Sequence, residues 1–121
     1  MPQKHSRMTL RGREFWLTER LWKLSSGLEI KSVPIDSIAE FDENCWFESE
    51  RPPTCKEVAR HAMRIYEADL SYPVILNRNG ELMDGGHRLC KAWISGRTHI
   101  DAVQFLEDPE PDYIVSSELD S

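Results

Sequence analysis

Cysteine is scarce in this sequence: the 121 residues include three, at positions 45, 55 and 90, and no two of them form a Cys-x-x-Cys pair. An odd number of cysteines without a short spacing indicates neither a disulfide framework nor a zinc knuckle. No apolar run approaches the roughly 20 residues that a membrane span requires, and residues 1–13 lack the apolar stretch of a signal peptide. These absences predict a cytoplasmic protein with reduced cysteines and no membrane partner.

Basic charge is absent from the end of the chain. Residues 100–121 contain no Lys or Arg and seven acids, whereas residues 1–31 carry seven Lys and Arg against three acids, and the whole chain has a net charge of −6. A duplex-binding domain usually presents a basic stripe on one face, and an acidic tail repels a polyanion. The charge distribution therefore predicts that the protein does not bind DNA unaided.

The composition is that of an ordinary globular domain, with 40% hydrophobic and 30% charged residues. A chain of this length predicts one domain. We divide it into a flexible arm over residues 1–12, a folded domain over 13–106 and a solvated acidic tail over 107–121. The predicted fold class is α+β, a single compact domain with a small mixed sheet flanked by helices and an added N-terminal helix.

Hydrophobic periodicity and turn signals locate the elements. Apolar residues at roughly helical spacing predict a helix over 13–24, on which Trp16 and Trp22 are expected to pack against the domain. Thr54 and Glu57 have the spacing of a capping box and predict a helix over 55–69. Asn79-Gly80 is typical of a hairpin. The remaining predictions are strands over 29–35, 72–77, 81–83 and 99–105, a short turn over 36–41, a loop over 42–53 and a helix over 87–95 closed by Gly96.

The segment Asp84-Gly85-Gly86-His87-Arg88 lies between a predicted strand and a predicted helix. Two glycines permit positive φ and a close approach of the backbone to a ligand, and the helix start offers unpaired amides and the positive end of its dipole. This combination favours an anion. Arg88 can bind phosphate bidentately, and Lys91, one turn later, can add a second positive charge.

Two residues of this segment have the chemistry for catalysis. His87 can donate a hydrogen bond or carry a proton near neutral pH. Asp84 can act as a ligand of a bridging Mg²⁺, as a general base, or as a partner that holds Arg88. A simpler alternative is a tight turn in which Asp84 caps the helix.

Four residues outside this segment are candidates for the wall of a pocket. Trp46 lies with Phe47 in an otherwise polar loop, where it either anchors the loop to the core or lines a ligand pocket. Glu57, His61 and Arg64 lie on one flank of the predicted helix 55–69, at helical spacing. A lone histidine on a helix surface is more often structural or solvated, so this alternative stays open for His61.

From residue 32 to 105 the sequence resembles the ParB/sulfiredoxin superfamily. The resemblance rests on Val33-Pro34-Ile35-Asp36-Ser37-Ile38, the helix over 58–65, Tyr72-Pro73-Val74-Ile75-Leu76, Leu82-Met83-Asp84-Gly85-Gly86-His87-Arg88, Lys91-Ala92 and Ile100-Asp101-Ala102-Val103. Members bind nucleotide phosphates at this turn. The resemblance therefore implies a nucleotide ligand (ATP, ADP or CTP) with Mg²⁺, and phosphoryl transfer or hydrolysis with a small-molecule or protein acceptor.

The motif separates this chain from individual members of the superfamily. ParB partition proteins carry Gly-Glu-Arg-Arg, so only Gly85 and Arg88 match, and the domains that clamp centromeric DNA would have to follow residue 105. Sulfiredoxin has its catalytic cysteine where Gly86 stands, so we expect no sulfinic acid reductase activity. The Asp-Gly-His-His-Arg form of ParB-like serine kinases matches at Asp84, Gly85, His87 and Arg88.

Three functions stay open at this point. The first is an enzyme of nucleotide-dependent phosphoryl transfer or hydrolysis, in which an acidic residue would activate the acceptor hydroxyl. The alternatives are a non-catalytic, nucleotide-responsive regulatory module and a ParB-like DNA-associated protein or nuclease. The candidate acids in or near the aromatic loop are Glu40, Asp42, Glu43 and Glu48.

Overall fold

Two β-sheets and three α-helices form the part of the chain that the computed structural model describes, residues 3–116. The strands are β1 (Lys4–Thr9), β2 (Gly12–Leu17), β3 (Lys31–Pro34), β4 (Val74–Leu76), β5 (Leu82–Asp84), β6 (His99–Gln104) and β7 (Tyr113–Val115). The helices are α1 (Thr18–Ser25), α2 (Cys55–Glu67) and α3 (Gly86–Ile94), with short 3₁₀ helices at Ile35–Ser37 and Ala39–Asp42. The predicted small α+β domain is confirmed at this level.

The larger sheet has the strand order β3-β6-β4-β5 and is mixed, because β4 runs parallel to β6 while the other pairs are antiparallel. Helix α3 connects β5 to β6 and buries Leu89 and Ala92. The smaller sheet, β1-β2-β7, is antiparallel throughout and was not predicted.

Apolar side chains cover both faces of the larger sheet. Along β4, Val74 and Leu76 belong to one buried cluster with Leu89 of α3, while Ile75 belongs to a second cluster with Trp16 and Leu21. Successive residues of a strand point to opposite faces. The second cluster therefore joins β2 and α1 to the sheet, and this fixes the N-terminal region beside β5 and the segment that follows it.

The N-terminal region corrects two predictions. Lys4–Thr9 of the predicted flexible arm 1–12 form β1, and residues 12–17 form β2, so the predicted helix over 13–24 is limited to Thr18–Ser25. Residues 14 and 16 are the buried side chains of β2, and residue 14 is glutamate. Because an acid occupies an inward position, the apolar alternation that would indicate a strand is missing from the sequence.

Local hydrogen bonds make the burial of Glu14 possible. Its Oε2 accepts from Oγ1 of Thr9 at 3.0 Å and from Nε of Arg11 at 2.9 Å. A buried carboxylate that is paired and hydrogen-bonded avoids most of its desolvation cost.

The predicted acidic tail also contributes a strand. Tyr113–Val115 pair with β2, and Phe15 stacks on Tyr113 with ring centroids 4.8 Å apart. Trp16 of β2 donates from Nε1 to the carbonyl of Pro109 at 2.8 Å. Residues 117–121 of the predicted tail lie outside the described residues.

The signals for α2 were accurate. Thr54 accepts from the amide of Glu57, and the Glu57 carboxylate accepts from the amide of Thr54, so the predicted capping box is present. At 13 residues α2 is longer than α1 and α3. No helix among residues 3–116 has the length and apolar character needed to cross a membrane.

Candidate functional site

The segment Asp84–Arg88, which we call the glycine turn, begins α3 in an unusual backbone conformation. Gly85 is the N-cap, with φ +115° and ψ 23°, and it provides no side-chain cap. A Cβ at Gly85 would lie 2.6 Å from Cγ1 of Val74. Position 85 therefore requires glycine for both backbone freedom and space. The first amides of α3 are left without a capping side chain.

Asp84 and Arg88 form a partly buried ion pair at the turn. Nη2 of Arg88 lies 2.6 Å from Oδ2 of Asp84, and the two side chains are 15% and 17% exposed. Nη1 of Arg88 donates to the carbonyl of Pro73 at 2.8 Å, and Nε1 of Trp22 donates to the same Oδ2 of Asp84 at 2.8 Å. Of the three predicted roles of Asp84, the geometry shows the partner that holds Arg88.

His61 of α2 and His87 of α3 form a hydrogen-bonded pair, which we call the histidine pair. Nδ1 of His61 lies 2.8 Å from Nε2 of His87, and the ring planes differ by 10°. Nitrogens of stacked rings cannot approach this closely, so the two imidazoles lie side by side. One ring must donate and the other accept.

Trp46 covers the histidine pair. Its ring stacks on His61 at 4.6 Å and on His87 at 4.4 Å, with interplanar angles of 7° and 5°. A Cβ at Gly86 would lie 3.4 Å from Nε1 of Trp46, so the indole also lies against the start of α3. Phe47 meets His61 edge-on at 5.2 Å. Trp46 therefore packs its loop against α2 and the start of α3, and it lies on the wall of the cleft at the turn.

The surroundings of the histidine pair favour the neutral form of both rings. Burial, followed by the proximity of His61 and Arg64, lowers the pKa of His87 to about 4, against a weaker opposing effect of Asp84. Burial likewise lowers the pKa of His61. In β1, burial and then Arg7 lower the pKa of His5 to about 4, and its Nε2 has no hydrogen-bond partner in the described structure.

These shifts predict a loss of stability in mild acid. Because the pKa values of His5 and His87 are lower in the folded state than the ordinary histidine value of 6.5, the unfolded chain binds more protons between pH 6.5 and about 4. The free energy of unfolding should fall by about 1 to 2 kcal/mol between pH 7 and 4.5, since solvent around the partly exposed His87 weakens its contribution. Urea unfolding at the two pH values measures the loss.

The control for this prediction is His99, which is exposed in β6. His99→Asn should retain the loss in acid, whereas His87→Phe, which keeps a flat ring over Trp46, should reduce it. The pKa of Glu57 is lowered to about 2 by Arg51 and Thr54, so most of its effect on stability lies below pH 4.5. Equal stability at pH 7 and 4.5 would contradict the lowered pKa values of these histidines.

A cleft of about 1570 Å³ opens at the glycine turn. It lies among β1, β2, α1, the loop that carries Trp46 before α2, α2 itself and the glycine turn. The structure brings most predicted site residues together on its walls: Trp46, His61, Arg64, Asp84, Gly85, Gly86, His87 and Arg88.

Two predicted site residues are corrected. Nζ of Lys91 donates to the carbonyls of Tyr66 and Ala68, each at 2.7 Å, so Lys91 satisfies the C-terminal end of α2 instead of the turn. Glu57 is committed to the capping box and to Arg51, whose Nη2 lies 2.9 Å from its Oε2. Neither side chain lines the cleft. The spacing of Thr54 and Glu57 indicates the capping box, but it reveals neither the ion pair of Glu57 with Arg51 nor the carbonyl partners of Lys91.

The candidate acids divide in the same way. Glu40 and Glu43 line the cleft, but Asp42 and Glu48 do not. Glu40 is 12% exposed at its side chain, lies 3.6 Å from Arg7, and accepts from the amide of Leu82 at 3.0 Å. The Glu40 carboxylate therefore links β1 to β5, through the ion pair with Arg7 and the hydrogen bond from Leu82.

The residues fit Mg²⁺ only weakly. Residues 3–116 contain no group of three or more His, Cys, Asp or Glu side chains placed to hold a metal ion. Asp84 alone offers a carboxylate at the turn, and its Oδ2 already accepts two hydrogen bonds. Mg²⁺ in this cleft would be held mainly by the phosphates of a ligand.

Sequence reasoning missed the N-terminal side of the cleft. Trp22 was expected to pack on the domain, yet it is 51% exposed and lines the cleft, as do His5 and Arg7 of β1. No local pattern predicts their approach to the turn. Only the register of the β1-β2 hairpin and the packing of α1 bring them there.

No protein-family model, curated protein or solved structure matches this chain.

Proposed function

We propose that this protein is a ParB-like domain that binds a nucleotide through its phosphates at the glycine turn. The observation that carries the proposal is the uncapped start of α3 inside the cleft. Gly85 leaves the first turn without a side-chain acceptor, and no hydrogen bond within residues 3–116 uses the amides of residues 86–88. Unpaired amides at the positive end of a helix dipole favour a phosphate.

Two arginines add positive charge beside these amides. Arg88 is fixed by Asp84 and by the carbonyl of Pro73, which leaves its other N–H groups for a ligand. Arg64 lines the cleft one turn beyond His61, and within the described residues it has no ion-pair or hydrogen-bond partner. A fixed guanidinium and an unpaired one suit adjacent phosphates of one ligand.

The geometry supports binding more than phosphoryl transfer. Asp84 is neutralised by Arg88 and also accepts from Trp22, which makes it a poor general base. His87 shares a hydrogen bond with His61 and carries no charge at pH 7. We therefore favour a nucleotide-responsive module, with phosphotransferase or hydrolase activity as the alternative that turnover would reveal.

A ligand titration tests the proposal. ATP, ADP, CTP and inorganic tripolyphosphate, each with Mg²⁺, should raise the melting temperature, since a ligand at 100 times its Kd adds about 2.7 kcal/mol to the free energy of unfolding. Arg64→Ala should weaken binding about tenfold, the usual order for one charge-assisted contact. If none of the four compounds stabilises the protein at millimolar concentration, the proposal is wrong.

The matched control is Arg60→Ala. Arg60 lies on the same helix and is exposed, but it does not line the cleft. It should leave the affinities unchanged, and a similar loss in both variants would indicate a general charge effect. Phosphate release from the nucleotides, alone and with hydroxyl acceptors, measures turnover, and we expect none.

A further inference from the structure

The cleft is larger than a phosphate site needs and differs in chemistry between its two sides. Its volume of about 1570 Å³ exceeds the 300–1,000 Å³ of typical small-molecule sites. The side formed by α2 and the glycine turn has Arg64, Arg88 and the histidine pair. The side formed by α1 and the segment after it has apolar residues: Trp22, Leu28 and Ile30.

Trp22 is the large aromatic side chain on this apolar side, and its orientation is fixed. The side chain is 51% exposed, while Nε1 donates to Oδ2 of Asp84 at 2.8 Å. Asp84 directly precedes Gly85 and holds Arg88. The edge of the indole is therefore held at the glycine turn. Its polar group is satisfied there, and about half of its surface remains open.

The geometry points to a specific occupant: we propose that the base of the nucleotide stacks on Trp22 while its phosphates lie at the start of α3. This inference rests on the proposed function and extends it from phosphate to base. Every nucleobase has a π-face, and stacking on an indole is tolerant of base identity. A purine offers the larger face. The expected ligand is therefore a purine nucleoside phosphate in preference to a pyrimidine one.

Calorimetry with ATP, CTP and inorganic tripolyphosphate separates the base from the phosphates. The wild type should bind ATP about tenfold more tightly than tripolyphosphate, with CTP between them. Trp22→Leu should abolish this preference and leave the affinity for tripolyphosphate nearly unchanged. Trp22→Phe keeps an aromatic face without the N–H and should retain most of the preference.

Trp93→Leu is the matched control. Trp93 is 57% exposed but does not line the cleft, so its loss should leave all three affinities unchanged. Nucleotide should also quench tryptophan fluorescence more than tripolyphosphate does, and this difference should disappear in Trp22→Leu, where Trp46 still reports phosphate at the start of α3.

The outcomes distinguish the inference from the function on which it rests. Equal affinities of the wild type for ATP and tripolyphosphate would overturn the stacking role and leave phosphate binding intact. An equal loss of both affinities in Trp22→Leu would show that Trp22 acts only through Asp84, which also overturns it. If no compound binds the wild type, the proposed function fails and the inference fails with it.

Discussion

Gly85→Ala should lower the free energy of unfolding by about 3 kcal/mol. Two effects add at this position. The backbone has φ +115°, a conformation that costs an L-residue about 1 to 2 kcal/mol. The new methyl group would also lie 2.6 Å from Cγ1 and 3.0 Å from Cβ of Val74, whose side chain is fully buried in β4 and cannot move away cheaply. Urea or thermal unfolding of the purified variant measures the loss.

Two other glycines separate these effects. Gly96 has φ +87°, and an alanine methyl group there would meet no side chain or backbone within 4 Å, so Gly96→Ala should show the backbone cost alone. Gly27 has open space and no positive φ, and Gly27→Ala should change stability little. A loss at Gly85 no greater than that at Gly96 would show that the turn does not approach β4 so closely.

Arg88→Met should cost about 2 to 3 kcal/mol of stability. The substitution keeps the length of the side chain but leaves the Asp84 carboxylate with only Trp22 as a donor and the carbonyl of Pro73 without Arg88. Removing one partner of a buried pair is expensive because the other charge stays desolvated. Chemical denaturation of the variant gives the loss directly.

A double-mutant cycle shows whether the pair itself is responsible. Asp84→Leu combined with Arg88→Met should be more stable than the sum of the two single losses, by at least about 1 kcal/mol. The control pair is Glu19–Lys23, which has the same i,i+4 spacing and a separation of 3.7 Å but is 77% and 76% exposed. Lys23→Met should change stability by less than about 0.5 kcal/mol. Additive losses at Asp84 and Arg88 would contradict the ion pair.

The elements that the sequence predicted well are those with local causes. The capping box of Thr54 and Glu57 depends on residues three apart, and it began α2 at the predicted residue. Gly80 has the positive φ expected of a hairpin turn, although the connection runs over residues 77–81 because the Asn77 side chain accepts from the amides of Asn79 and Glu81. The glycine turn was equally local, since two glycines before a helical period indicate it directly.

The candidate site was predicted in part, and the errors in that prediction share a cause. The sequence indicates the glycine turn and suggests Trp46 and His61 as candidate residues. It does not predict that the indole of Trp46 covers both histidines, or that Lys91 binds the end of α2. These contacts join elements that are far apart along the chain. Periodicity records which face of a helix is apolar and does not record which residue that face meets.

The small sheet has a consequence for the order in which the molecule is assembled during synthesis. Trp16 is hydrogen-bonded to Pro109, 93 residues later, and β7 completes the sheet begun by β1 and β2. During synthesis on the ribosome, the N-terminal hairpin therefore cannot form these contacts until residues 109–115 have been added. Since this hairpin forms one wall of the cleft, the nascent chain should complete the cleft late, after the larger sheet has formed.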